Sequence, residues 1–168
     1  NGEPVLWGYD NYGECKPPAG LTDLVALGGG LNHSLALRRD GRVFAWGRNH
    51  LGQTNVPPGE ALSGVVAIAA GRYHSLALKT DGTVVAWGNN ASGQSTVPAG
   101  LNGVAAIAAG GSHNLALKND GTVVAWGSNS FGEQAAPVGL SAVNAIAAGG
   151  WFTAALYVDS ILPTVPSG

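Results

Sequence analysis

This chain repeats itself, and no other feature restricts its fold so strongly. The stretch "VVAIAAGRYHSLALKTDGTVVAWGNN" (65–90) returns almost unchanged as "GVAAIAAGGSHNLALKNDGTVVAWGSN" (103–129). Trp-Gly pairs begin at Trp7, Trp46, Trp87 and Trp126, an almost even spacing. The other markers keep step: small apolar runs at Ala26, Ala67, Ala106 and Ala145, and histidines at His33, His74 and His113, with Phe152 in the fourth place. The slight extra length of the second unit falls in "PPGEALSG", a connector able to absorb it. A period of roughly 40 residues means one supersecondary unit per repeat, which buries its faces only against its neighbours.

Within a unit the pattern is that of strands. "VVAIAAG" is β-branched and then small, "HSLAL" alternates, and "TVVAWG" is again β-branched. Asp40-Gly41, Asp81-Gly82 and Asp120-Gly121 separate the last two, which predicts a tight hairpin of type I′. A weaker fourth strand is expected at "TNVPP" and "STVPA", on an edge where proline's missing N–H costs little. No segment has a helical period. Four antiparallel strands in a unit of this length predict an all-β propeller of four-stranded blades. Ala69-Ala70-Gly71 and Ala108-Ala109-Gly110 would then be innermost, where large side chains do not fit.

The string "AIAAGxxHSLALxxDGxVxAWGxNxxGQ" resembles the regulator of chromosome condensation repeat. In unit length and in the connector "VPxGLxxVxAIAAG" the chain is more specifically similar to the bacterial propeller-type β-lactamase inhibitory proteins. The resemblance runs from about Val5 to Leu156 and implies a propeller, usually of seven blades. This chain holds fewer. Three units are whole; the fourth, "AVNAIAAGGWFTAALYVDS", lacks a Trp-Gly strand, and "PVLWGYDNYGE" (4–14) is a Trp-Gly strand lacking inner strands. Head and tail make one blade, so four blades are expected over residues 1–160, with 161–168 as a tail. In this reading the strand around Trp7 pairs with the one near Ala154. Eight blades by dimerisation, or a segment of a longer propeller, are the alternatives.

Tracing one unit up and down places the two residues before each histidine and the "GxNxxG" loops on one face, and the Asp-Gly turns and connectors on the other. The first face varies. Its loops read Leu31-Asn32, Arg72-Tyr73, Gly111-Ser112 and Gly150-Trp151, then "YDNY", "RNHL", "NNAS" and "SNSF". Tyr9, Tyr12, Arg48, His50, Arg72, Tyr73, Phe131 and Trp151 collect there and are the candidate partner-binding residues, being of the types that dominate interface energetics. The inhibitor resemblance implies partner contact by Tyr73, Trp151, Tyr12 and Phe131; Leu31-Asn32 and Gly111-Ser112 depart from its pattern.

The remaining residues argue against other chemistry. A net charge of −2 with scattered Lys and Arg does not suit nucleic acid. No apolar run is long enough to span a membrane. The histidine ring could suggest a metal, but each histidine starts an interior strand, where bonding to a neighbouring blade's carbonyl is expected. The Asp-Gly aspartates, with Asp159 in the equivalent place, are turn residues. Asp10 and Glu14 could approach one another in one loop but lack a positioned partner. Cys15, in a Thr-like position, has no internal partner and is expected to be inert. The opening "NGEPVLWG" reads as a mature or trimmed product. The expectation is a secreted, non-enzymatic binding module without metal or cofactor, monomeric or dimeric. Its loop face would dock a protein, such as a secreted enzyme that it inhibits; a sugar ligand or a structural role in a larger array are the alternatives.

Overall fold

The structure, a computed structural model, describes residues 2–158. The strands are β1 (Leu24–Gly29), β2 (His33–Arg38), β3 (Val43–Gly47), β4 (Val65–Ala70), β5 (His74–Lys79), β6 (Val84–Gly88), β7 (Val104–Ala109), β8 (His113–Lys118), β9 (Val123–Gly127), β10 (Val143–Ala148) and β11 (Thr153–Tyr157). They form three antiparallel sheets, β1-β2-β3, β4-β5-β6 and β7-β8-β9, and a two-stranded sheet β10-β11. The sheets stack in chain order as blades, and the first strand of each packs on the first strand of the next. The alanines and glycines of those strands therefore line the axis, as expected. At Gly71 a Cβ would sit 2.1 Å from the His74 ring and 2.7 Å from the Gly110 carbonyl oxygen, so only glycine fits.

The middle strands are buried on both faces, which is why "HSLAL" is buried from end to end. Between the first and second blades, Leu35, Leu37, Leu62, Ala77 and Trp87 form one cluster, with Val43, Ala45 and Val56 packed on it. The next interface repeats it with Leu76, Leu78, Val84, Ala116 and Trp126, flanked by Ala86, Val97 and Leu101. Each fully buried leucine contributes about 1.5–3 kcal/mol, so these interfaces carry most of the array's stability. Every first strand also slips its register near its start, between Leu24 and Ala26 and at the equivalent places.

Three expectations need correction. The fourth strand is absent where it was expected: residues 54–58 and 95–99 belong to no sheet. Their donors turn inward to the preceding loop, Thr54 N–H to Asn49 Oδ1 and Ser95 N–H to Asn90 Oδ1, and Val56 and Val97 attach the connector by apolar packing. The Asp-Gly turn is not type I′. Gly41, Gly82 and Gly121 have φ of +83°, +75° and +79°, while the preceding aspartates do not enter the left-handed region. Gly41 N–H bonds Arg38 C=O and Arg38 N–H bonds Arg42 C=O, a three-residue loop with a glycine bulge. It wins because the Asp40 carboxylate accepts the Arg42 N–H, as Asp81 does from Thr83 and Asp120 from Thr122, which holds aspartate in its right-handed conformation.

The third correction concerns closure. Among the described residues the segment around Trp7 forms no ladder with β11; Trp7 is 85% exposed, and β11 pairs only with β10. Instead Leu6 packs beside Leu21, Ala36 and Trp46 on the first blade, and Leu24 N–H bonds Gly2 C=O. The opening segment is already committed to the blade that follows it. The tail, 161–168, and Asp159 lie outside the described residues.

Candidate binding face

Backbone hydrogen bonds tie the two variable loops of each blade together. Arg48 N–H donates to Asn32 C=O, Asn89 to Tyr73 and Ser128 to Ser112, at 2.8–2.9 Å. The variable loops therefore share one face, and the Asp-Gly turns lie at the opposite strand ends.

Side-chain clamps hold the longer loops. Asp10, Asn49, Asn90 and Asn129 each accept the N–H five residues on, and Glu14, Gln53, Gln94 and Glu133 each accept the N–H two residues back. This assigns Asp10 and Glu14 to loop architecture rather than to acid–base chemistry. The Cys15 N–H and the nearby Lys16 ammonium hold the Asp10 carboxyl below its ordinary pKa. Cys15 sits where Thr54 and Ser95 sit in their loops, and desolvation followed by the nearby carboxylates raises its thiol pKa. The clamp positions recur from blade to blade, whereas the side chains between them differ.

Five of the eight predicted residues make contacts with one another, in two groups joined through the 48–51 loop that carries Arg48 and His50. The Arg48 guanidinium lies 4.6 Å over the Tyr12 ring and that of Arg72 5.3 Å over Tyr73; His50 meets Tyr73 edge-on at 5.4 Å. Among the described residues neither arginine is in an ion pair, so both guanidiniums are free for carboxylates. Tyr9 stands apart, its hydroxyl accepting from Asn11. Phe131 and Trp151 line a separate apolar groove of about 470 Å³ beside β9 and β11. A concavity of about 510 Å³ opens at the axis among Gly30, Leu31, Arg72, Ser112 and Trp151.

The histidines are ties between blades. His33 Nε2 reaches Ser75 Oγ at 3.1 Å, His74 Nε2 reaches Asn114 Oδ1 at 2.6 Å, and His113 Nε2 reaches Thr153 Oγ1 at 3.4 Å. Ser75, Asn114 and Thr153 each donate to a loop carbonyl, of Gln53, Gln94 and Glu133, so the histidine must donate and is neutral with its proton on Nε2. The acceptor is thus a side chain, not the carbonyl that the sequence led us to expect. Desolvation lowers all three pKa values, that of His33 to about 4 with His74 adding to it. The sequence carried no sign of the carbonyl relay, because its members are far apart along the chain and come from different blades. Among the described residues no three His, Cys, Asp or Glu surround a common point, and no helix is long and apolar enough to cross a membrane.

Comparison with known proteins agrees with this geometry. The family model described as the regulator of chromosome condensation (RCC1) repeat matches residues 24–53, 65–94 and 104–133, together more than half of the chain. No curated protein matches by sequence. Among solved structures, the chain is similar to the ectodomain of the Physcomitrella patens receptor kinase CR4 (30% identity, TM-score 0.74, covering 94% of this chain and 44% of that one). It is also similar to human WBSCR16 (28%, 0.69, 80% and 44%) and to yeast RCC1 (Prp20) solved with Kap60 bound (25%, 0.70, 84% and 43%). The chain thus spans less than half the length of these relatives.

Proposed function

Because the chain belongs to the RCC1 repeat family, we propose that it is a non-enzymatic protein-binding module that docks a partner on the variable loop face. The observation that carries this is a pair of neighbouring groups, Arg48 on Tyr12 and Arg72 with His50 on Tyr73: aromatic rings and unpaired guanidiniums mounted on clamped loops. Stiff loops lose little conformational entropy on docking, and arginine stacked on tyrosine presents its donors already oriented. Such a surface suits a partner bearing carboxylates beside apolar side chains. Yeast RCC1, a relative by fold and sequence, was solved with a protein partner, which favours protein over sugar. The loops also differ in every blade, as one asymmetric ligand requires. A non-catalytic role is supported by the employment of Asp10, Glu14 and Glu133 as clamps, of Asp40, Asp81 and Asp120 as turn residues and of His33, His74 and His113 as ties.

A finer form of the reading has the partner a secreted enzyme that this module inhibits; likeness to a receptor ectodomain favours an extracellular setting. The test is affinity capture with the intact chain, then calorimetry of the captured partner against wild type and the Arg72→Ala/Tyr73→Ala variant. The variant is expected to bind about 30-fold more weakly or worse. Equal binding by both, or saturation of several equivalent sites by a sugar, would overturn the proposal.

A further inference from the structure

Among the described residues, aspartate or asparagine stands directly before glycine at Asp40-Gly41, Asp81-Gly82, Asp120-Gly121 and Asn102-Gly103. In such a pair the glycine nitrogen can attack the carbonyl carbon of the preceding side chain, because glycine has no Cβ to obstruct the approach. The structure decides which pair is open to this.

The three turns hold both reacting groups. Gly41, Gly82 and Gly121 donate their N–H to the carbonyls of Arg38, Lys79 and Lys118 at 2.9–3.0 Å, and the aspartates accept the N–H of Arg42, Thr83 and Thr122. Bonds from the Arg38 guanidinium and from the Thr83 and Thr122 hydroxyls keep the three carboxyls below their ordinary pKa. An ionised carboxylate is a poor acyl donor.

Asn102 is held far less. It is exposed and lies outside any strand, and the Gly103 N–H makes no hydrogen bond among the described residues. Its side-chain carbonyl has no donor there either; only Nδ2 is engaged, by the Gly100 carbonyl at 3.0 Å. The amide is uncharged, and its leaving group is ammonia. In the other blades the same position reads Thr22, Ser63 and Ser141, whose side chains carry no carbonyl.

The backbone just after Asn102 joins two blades. Val104 N–H donates to Gly82 C=O at 3.1 Å, and Asn119 N–H to Gly103 C=O at 2.9 Å. Gly103, with φ of +63°, lies so close to the turn of the second blade that a Cβ on Gly82 would stand 3.1 Å from its nitrogen and Cα. The Val104 side chain is buried with Leu76 and Leu78 of that blade.

We propose that Asn102 is a site of self-modification, where the chain deamidates to isoaspartate and so loosens the junction between its second and third blades. The Gly103 nitrogen gives up its proton and bonds Asn102 Cγ; the Cγ–Nδ2 bond breaks and Nδ2 leaves as ammonia. Water then opens the cyclic imide at either carbonyl. Opening at Cγ gives aspartate. Opening at the main-chain carbon gives isoaspartate, whose chain runs through Cβ and Cγ and is longer by one carbon–carbon bond of about 1.5 Å. That length enters directly before the contacts of Gly103 and Val104. The site is on the face opposite the variable loops, so this inference is independent of the binding reading.

The test ages the intact chain in mildly alkaline buffer, native and in urea, and labels isoaspartate with an isoaspartyl methyltransferase. Peptide mapping locates the label and separates residue 102 from the Asn1-Gly2 pair. Native chain is expected to label at 102 within about tenfold of the rate in urea and to stay unlabelled at Asp40, Asp81 and Asp120; slower labelling means that the fold shields Asn102 until it opens locally, and overturns the proposal. The denaturant midpoint is expected to fall as label accumulates, and to stay constant in Asn102→Ser over the same ageing. Freshly made Asn102→Asp, which has the charge without the added carbon, is expected to keep the wild-type midpoint. A midpoint unmoved by labelling, or one equally low in fresh Asn102→Asp, refutes the effect on the junction.

Discussion

Each of the three buried histidines holds two blades together with a single proton. With the Nε2 hydrogen committed to Ser75, Asn114 or Thr153, the Nδ1 lone pair has no partner and lies against the backbone of the glycine three residues before it. Protonation would bury a charge with nothing to receive the new N–H. The folded pKa values therefore lie below the ordinary 6.5, His33 at about 4. Between these limits the unfolded chain binds protons that the folded chain refuses. The stability from this source is complete above about pH 6.5 and is lost as pH falls toward about 4, by roughly 3 kcal/mol from His33 alone. Urea unfolding at pH steps through this window should show the midpoint falling with acidity, and His33→Gln should flatten the curve. A midpoint constant from about pH 7 to 4.5 would show that the histidines do not govern it. Repetition of His33, His74 and His113 was legible in the chain. Their acceptors were not, because each lies one period away and is disguised as Ser, Asn or Thr.

At the scale of the element, the start of each first strand demands a left-handed residue. Gly64 and Gly103 supply it with φ of +66° and +63°, but Asp23 and Ala142 occupy the same place at +57° and +51°. Alanine there carries steric cost between Cβ and carbonyl that glycine escapes. Ala142→Gly is therefore expected to raise stability by about 0.5–1 kcal/mol after glycine's unfolded-state entropy is allowed for, whereas Gly103→Ala should lower it by a similar amount. Denaturant midpoints of the pair check the sign; equal shifts would refute the argument. The Asp-Gly hairpin shows how far local sequence reads. The dipeptide located the turn, yet the loop took three residues, because the aspartate carboxylate caps its own backbone two positions on. The supposed fourth strand failed for a comparable reason: its donors were claimed by loop asparagines, and its valine found a better place in the interface.

Among the described residues the main contacts between blades run from each to the next, so stability is close to a sum of interfaces and is uneven along the chain. Middle strands such as β5 are covered on both faces, while β11 is more exposed and, among the described residues, pairs with β10 alone. Hydrogen exchange under native conditions should give graded protection, with the amides of β5 and β8 exchanging slowest and those of β10 and β11 much earlier. Uniform protection across all four sheets would mean a single cooperative unit.

By itself the sequence determined what repetition encodes. It set the strand identity of each segment, the small residues at the axis, the aspartate turns and the division into an invariant face and a variable one. These follow from period, side-chain size and turn chemistry, which act over a few neighbouring residues. Tertiary structure alone decided which variable side chains meet, laying Arg48 on Tyr12, bringing Arg72 and His50 to Tyr73, and sending Phe131 and Trp151 to a groove. It also decided that Trp7 faces outward rather than closing on β11. Both depend on how neighbouring blades pack and curve, a sum of contacts a full repeat apart that no local pattern records.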